Sequence, residues 1–418
     1  MHVVMVTVGT RGDVQPFVAL GKGLSRAGYR VTLATHDDYA SFVAEHGLGF
    51  RAIGGSFKKV IESDLGREWI ESSGSLLRFL ELTKRVFEPL VPAWLRDAHE
   101  AVSDADAVLF NARAWRGAYE GAEKRGVPRI GVGLFPVWPN GDHSVMAPRA
   151  PWRWLRRWVD EQAARGVAKI GRRAYDEHRR DLGLAPFRTL NPWREMLQAG
   201  VHFLHLYSPH ILGRRPSEWP ASIHITGSCT LDTTDGWVPP DDLRSFLDAG
   251  PPPVYVGFGS MTGRAPEDLA RLVSEAVALS GQRAIVATGW GGIASASRLR
   301  DVLVIDGAPH EWLFPRCSAV VHHGGAGTVA TGLAAGRPTA VVAFVGDQPY
   351  WGHRIHALGA GPPPILRRAL TASRLARAIR RVVSEESYRR SAESVAAALA
   401  TEDGVAAGVE TIREILSG

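Results

Sequence analysis

Short apolar runs alternate with longer stretches of helical spacing along most of this chain. Continuous apolar runs, without the every-other-residue polar positions of a half-exposed strand, belong to strands buried on both faces of a parallel sheet. Runs of this kind at residues 2–8, 30–34, 50–53, 107–110, 129–133 and 202–206 predict a first series of strands. Runs at 253–258, 284–287, 302–305, 319–321 and 339–343 predict a second. Helical spacing fills the gaps, for example at 14–26 and 76–102. Two such series predict an α/β protein of two doubly wound, Rossmann-like domains facing a central cleft, with ligands at the carboxyl ends of the strands.

The expected boundaries follow the prolines. Residues 1–215 form the first domain and 251–400 the second. The stretch 216–250 between them contains Pro239-Pro240 and runs into Pro251-Pro252-Pro253, which suits a linker because proline interrupts both ladder and helix. Residues 401–418 carry Val405, Val409, Ile412, Ile415 and Leu416 at helical spacing, so a last helix is expected to pack back towards the first domain.

Composition narrows the function. A chain of 418 residues exceeds one ordinary core, and 45% hydrophobic with 22% charged residues is globular, with no apolar run of membrane-spanning length. The amino terminus reads as a buried strand, not a leader. Two cysteines, Cys229 and Cys317, make no disulfide framework and lack metal-ligand spacing, which fits a reducing cytoplasm. The net charge of +6 attracts anionic ligands or membrane surfaces, yet no basic patch is interleaved with aromatics as nucleic-acid binding requires. No close histidine pair of metalloprotease type and no Gly-x-Ser-x-Gly elbow occurs.

The chemistry gathers at strand ends. His322-His323-Gly324-Gly325-Ala326-Gly327-Thr328 leads from a strand into a helix, where unpaired N–H groups and the helix dipole favour a phosphate. His323 adds a hydrogen bond or charge. Asp347 and Gln348 follow the next strand, where they read sugar hydroxyls or cap a helix near Pro349. Ser260, in Gly257-Phe258-Gly259-Ser260-Met261, sits on a similar turn, and His310 opens a short helix. In the first turn, Gly9-Thr10-Arg11-Gly12-Asp13, the carboxylate of Asp13 reads equally as a helix N-cap and as a base facing the cleft. Pro151 to Trp158 interleaves three tryptophans with three arginines. It reads as a helix packed on its own domain, a pocket wall, or a weak peripheral membrane contact.

Five motifs, in order and spanning almost the whole chain, resemble one family: the first turn through Pro16, Gly257 to Met261, Pro309 to Cys317, His322 to Thr328, and Gly346 to Gly352. They resemble the inverting GT-B glycosyltransferases of family 1, nearest to sterol glucosyltransferases and bacterial natural-product glycosyltransferases. The resemblance implies a GT-B fold with Asp13 as the base that deprotonates an acceptor hydroxyl. Ser260, His323, Gly325, Ala326, Gly327 and Thr328 would hold the diphosphate. His310 would lie near the nucleoside, and Asp347 with Gln348 would bind the sugar. Plant relatives carry a histidine base in the first turn, which this chain lacks. Their base-stacking tryptophan matches Gly307, leaving Trp290 as a substitute, and their ribose-binding glutamate matches Thr331, which leaves uridine and thymidine diphosphate sugars both open. The acceptor is expected against residues 54–75 and 134–158 of the first domain, with Asn111, Trp138, Trp152 and Trp154 contributing. A lipophilic hydroxylated molecule such as a sterol, polyketide or macrolide fits those aromatics. No metal and no cofactor beyond the donor is expected, and the protein would be a cytoplasmic monomer or homodimer. A GT-B nucleotide-sugar epimerase and a non-catalytic nucleotide-sugar binder remain open on these residues.

Overall fold

A computed structural model describes the chain except residues 73–74, 112–113, 235, 260, 262–265, 289–300 and 418. Ser260 and Trp290 therefore lie outside the described residues. The first sheet contains β1 (His2–Val6), β2 (Arg30–Thr35), β3 (Gly49–Ala52), β4 (Ala107–Asn111), β5 (Arg129–Gly133), β6 (His202–His205) and β7 (Ile223–Ile225), in the order β3-β2-β1-β4-β5-β6-β7. The second contains β8 (Val254–Gly257), β9 (Ala284–Ala287), β10 (Val302–Ile305), β11 (Ala319–His322), β12 (Thr339–Ala343) and β13 (Ile365–Leu366), in the order β10-β9-β8-β11-β12-β13. Every pairing between these strands is parallel. Helices cover both faces, so the central strands β1, β4, β8 and β11 are buried along their whole length.

The strand order reverses between β1 and β4 in one sheet and between β8 and β11 in the other. Ligands of open α/β sheets bind outside the carboxyl ends of the strands at such reversals. Asp13 and Asn111 therefore stand at one switch point, and Gly259 and His323 at the other.

Two local details differ from the sequence pattern. Helical spacing over 76–102 resolves into Leu76–Phe87, a 3-10 turn at Glu88–Leu90, and Val91–Ala101. Pro89 and Pro92 break the helix there. The stretch 216–250 is narrower as a linker than expected. Its Ile223–Ile225 joins the first sheet as β7, and its helix Asp241–Asp248 buries Leu243 in a cluster with Tyr255 and Ile285 of the second. Both elements are too short for their apolar pattern to stand out among prolines. The last helix, Gly404–Ser417, lies on the first-domain helix Arg11–Arg26. Gly23 receives Val405 and Val409, and Gly408 receives Leu20. Cys229 and Cys317 are buried and unpaired.

Candidate active site

The first turn is a lock around Asp13. Thr10 is the N-cap of the helix Arg11–Arg26, and Asp13 stands at its third position, reaching back. The Asp13 carboxylate accepts the Thr10 N–H at 2.8 Å and the Thr10 hydroxyl at 3.1 Å on Oδ2. The N-cap is thus Thr10 and not Asp13, which is instead its partner in a capping box. Gly9, at φ +142°, passes directly beneath the carboxylate, and a Cβ there would collide with it. Asn111, at the end of β4, donates to the Thr7 hydroxyl at 2.6 Å and accepts the Ala114 N–H at 2.7 Å. Thr7 in turn donates to the Asp13 carbonyl at 3.2 Å. Asn111 accordingly ties the ends of β1 and β4 to the turn that carries Asp13.

Opposite stands the glycine-rich turn after β11. His322 is fully buried, and its Nδ1 accepts the Gly324 N–H at 2.9 Å, so its proton resides on Nε2. Gly324, at φ +92°, lets the chain turn there. Gly325 is the N-cap of the helix Ala326–Ala334 and offers no side chain, while a Cβ on Gly327 would meet nothing within 4 Å. The N–H groups of Ala326, Gly327 and Thr328 therefore open the helix without a side-chain cap. The His323 ring lies between Gly259 and Gly325. Its Nδ1 is buried without a hydrogen-bond partner among the described residues. Burial lowers its pKa to about 4, so the ring is neutral near pH 7 and offers a hydrogen bond, not a charge.

His310 packs flat on Phe314, 4.3 Å between ring centroids, and its Nε2 lies 3.2 Å from the Tyr255 hydroxyl. Burial lowers it to about 4, assisted by His323 and by Arg11 from the first domain. Helices Arg11–Arg26 and Ala326–Ala334 touch across the cleft.

Asp347 precedes the helix Gln348–Ala357, and its Oδ2 accepts the Trp351 indole N–H at 2.7 Å. Gln348 is buried, and its Oε1 accepts the N–H groups of Phe344 and Val345 at 2.7 and 3.1 Å. One side of Gln348 is thus spent on shaping the end of β12.

A cavity of about 400 Å³ opens between the domains. Ser72, Leu76 and Phe79 form one wall, Val145, Met146 and Ala150 a second, and Gly346, Pro349, His353 and Leu366 the third. Buried Asp160 holds the second wall in place by accepting the Ser144 hydroxyl and the Val145 and Met146 N–H groups at 2.9 to 3.2 Å. Gly346 and Pro349 flank the Asp347-Gln348 pair, so the cavity adjoins the expected sugar site.

Residues 3–140 match the glycosyltransferase family 28 N-terminal domain, and 282–413 the C-terminal domain of erythromycin biosynthesis protein CIII-like proteins. Two sterol 3-beta-glucosyltransferases of Arabidopsis thaliana are 37% and 35% identical over 98% and 100% of this chain. The chain spans 65% and 68% of their lengths. It belongs to the glycosyltransferase family that contains them. The fold agrees: the calicheamicin glycosyltransferase CalG4 superposes with a TM-score of 0.72 at 19% identity, covering 100% of this chain and 98% of that one. The two sheets are therefore the halves of a GT-B fold.

Some expected residues stand elsewhere in this GT-B fold. Trp138 was expected at the acceptor. It is instead buried, edge-on to Phe203 at 5.2 Å, and belongs to the core of the first domain. Trp152 and Trp154 line no part of the cavity and are exposed, stacked on each other at 5.9 Å. The helix packs on its own domain, as expected, but through its opposite face and not through its tryptophans. Sequence reasoning missed Thr7 and Thr10, whose bonds hold Asp13, and Phe79 and His353 in the cavity wall. His353 was within reach, one helical turn beyond Pro349. Among the described residues no cluster of three potential metal ligands occurs, and no helix is long and apolar enough to cross a membrane.

Proposed function

We propose that this chain moves a hexose, with inversion, from a nucleoside diphosphate sugar to a hydroxyl of a lipophilic acceptor such as a sterol, polyketide or macrolide. The observation that carries this reading is the pairing of two switch points. A rigidly held carboxylate from one sheet and an uncapped, glycine-rich helix start from the other meet across one cleft, beside a cavity with apolar walls. The names of the plant relatives favour glucose as the sugar; the donor of this reading is UDP-glucose or a dTDP-sugar.

In this mechanism the acceptor oxygen attacks the anomeric carbon from the face opposite the diphosphate. The new C–O bond forms as the old one breaks, and its electron pair leaves on the diphosphate oxygen. Asp13 takes the hydroxyl proton, a contribution of about 10²–10⁴-fold. The N–H groups of Ala326 to Thr328 and the His323 ring receive the developing charge. Because those groups serve the leaving diphosphate, turnover is expected to persist in the presence of a chelator. Asp347 and the Gln348 amide would hold the sugar, and closure of the cleft would limit hydrolysis of the donor.

The test is to incubate the protein with UDP-glucose or dTDP-glucose and each acceptor class, and to read product mass and anomeric configuration. Asp13→Asn is expected to lose about 10²–10⁴-fold in kcat while donor still raises the melting temperature. Turnover of Asp13→Asn at the wild-type rate would remove Asp13 as base, and a product retaining the donor's configuration would remove the in-line step.

A further inference from the structure

Among the described residues, the tryptophan segment that the proposed site does not use groups three of the exposed large hydrophobic side chains. Trp152, Trp154 and Trp158 are 58%, 64% and 53% exposed. Trp152 is the N-cap of the helix Arg153–Lys169. Trp154 and Trp158 are one turn apart on that helix and share a face. Large aromatics left uncovered in this way mark an interaction surface.

Basic residues outnumber acidic ones around them. Residues 143–159 contain Arg149, Arg153, Arg156 and Arg157 and no acidic residue. Within the helix, Asp160 is buried beneath the loop it holds, and Glu161 is half-buried and paired with Arg157 at 3.0 Å. Arg153 pairs with Asp142 and lies 3.6 Å from Glu218. Further along, exposed Arg165 and Lys169 have no ion pair among the described residues. Exposed indoles beside a basic helix have the composition of a bilayer interface, where indole rings sit at headgroup level and basic side chains meet anionic lipid.

The place of the patch gives it a use. Ala150, two residues before Trp152, lines the cavity between the domains, as does Leu76. Leu77, beside Leu76, is itself largely exposed. We infer that Trp152, Trp154 and Trp158, with their flanking arginines, dock this protein on an anionic lipid surface and bring the cavity against the bilayer. The purpose assigned to docking, delivery of a lipophilic acceptor, rests on the transfer reading above. The docking itself does not.

Flotation with vesicles separates the two, because it measures no turnover. Wild-type protein is expected to float with vesicles of phosphatidylcholine and phosphatidylglycerol, less with phosphatidylcholine alone, and less again at high salt. The double variant Trp154→Ser/Trp158→Ser, changed only at exposed positions, is expected to lose roughly tenfold or more in vesicle affinity. An unchanged melting temperature would show that it remains folded. Wild-type protein that stays at the bottom of the gradient at low salt would overturn the proposal, and so would a folded variant that floats like wild type. A wild-type dimer that the double variant turns into a monomer, with neither floating, would also overturn it and make the patch an interface between copies.

Discussion

At Gly9 the backbone adopts a φ of +142° while the Asp13 carboxylate lies over it, so this position answers to two constraints at once. Gly9→Ala is expected to destabilise by about 1–3 kcal/mol and to displace the carboxylate, lowering turnover beyond what lost stability explains. The glycines of the opposite turn separate in the same way. At Gly324 a Cβ would stand 2.8 Å from Val341 and 3.0 Å from the Gln348 carbonyl, at a φ of +92°. Gly324→Ala should therefore cost about 1–3 kcal/mol. At Gly327 a Cβ meets no protein atom, and the position is helical, so Gly327→Ala should gain about 0.5–1 kcal/mol. Denaturant titration of the three variants checks this ranking, and a destabilised Gly327→Ala would contradict it. That these glycines matter was legible from the sequence, since each follows an apolar strand. Which ones tolerate a side chain was not, because that depends on Asp13, Val341 and Gln348 arriving from elsewhere.

Among the elements, the helix Arg153–Lys169 shows how a correct helix can carry a misleading face. Trp154 and Trp158 share one face by spacing, which argues for core. The fold instead turns inward the face holding Asp160, Ala163 and Gly166, where small residues let Leu80 approach Gly166 closely. Close approach of two helices and the bonds to Asp160 outweigh burial of the indoles. The helix Gly404–Ser417 behaves in the opposite way, because its apolar stripe has a matching surface. Ile412 is fully buried, and Val405 and Val409 fill the space over Gly23. Ile412→Ala is expected to cost about 2–5 kcal/mol in the cooperative unfolding of the protein. A loss well below 1 kcal/mol in denaturant titration would show that this helix adds little to the first domain.

For the whole molecule, the helix Gln348–Ala357 couples the proposed sugar site to the domain contact. Trp351 binds Asp347 at one end and packs edge-on to Tyr207 of the first domain, while Arg354 donates to the Ile211 carbonyl at 3.0 Å. His353 lies 3.2 Å from Arg149 Nε, and burial lowers its pKa to about 4. His310 and His323 are likewise held at about 4, and His205 at about 3, each chiefly by burial. In the unfolded chain these imidazoles return towards 6.5, so unfolding takes up protons between that value and about 4. Asp160, raised to about 6 by burial, acts in the opposite direction, as does buried Glu120. The imidazoles outnumber them, so stability should be full above pH 6.5 and fall as pH drops towards 4. Thermal unfolding across that range checks it, and a melting temperature that rises on acidification would refute it.

The sequence by itself determined the two parallel sheets except their short edge strands β7 and β13, because buried parallel strands are continuous apolar runs that need no partner to be recognised. It also determined the turns that hold His323, Asp347 and Asp13, because a helix start after a strand is a local event. Tertiary structure alone decided what touches what. It brought Ser72, Phe79, Val145, Ala150, Pro349 and Leu366 to one cavity, sent Trp138 to the core, and left Trp152, Trp154 and Trp158 outside. It also turned Thr10 and Asp13 into a mutual lock. Burial of a tryptophan depends on the shape of the surface it meets, and that surface is assembled from segments far apart in the chain.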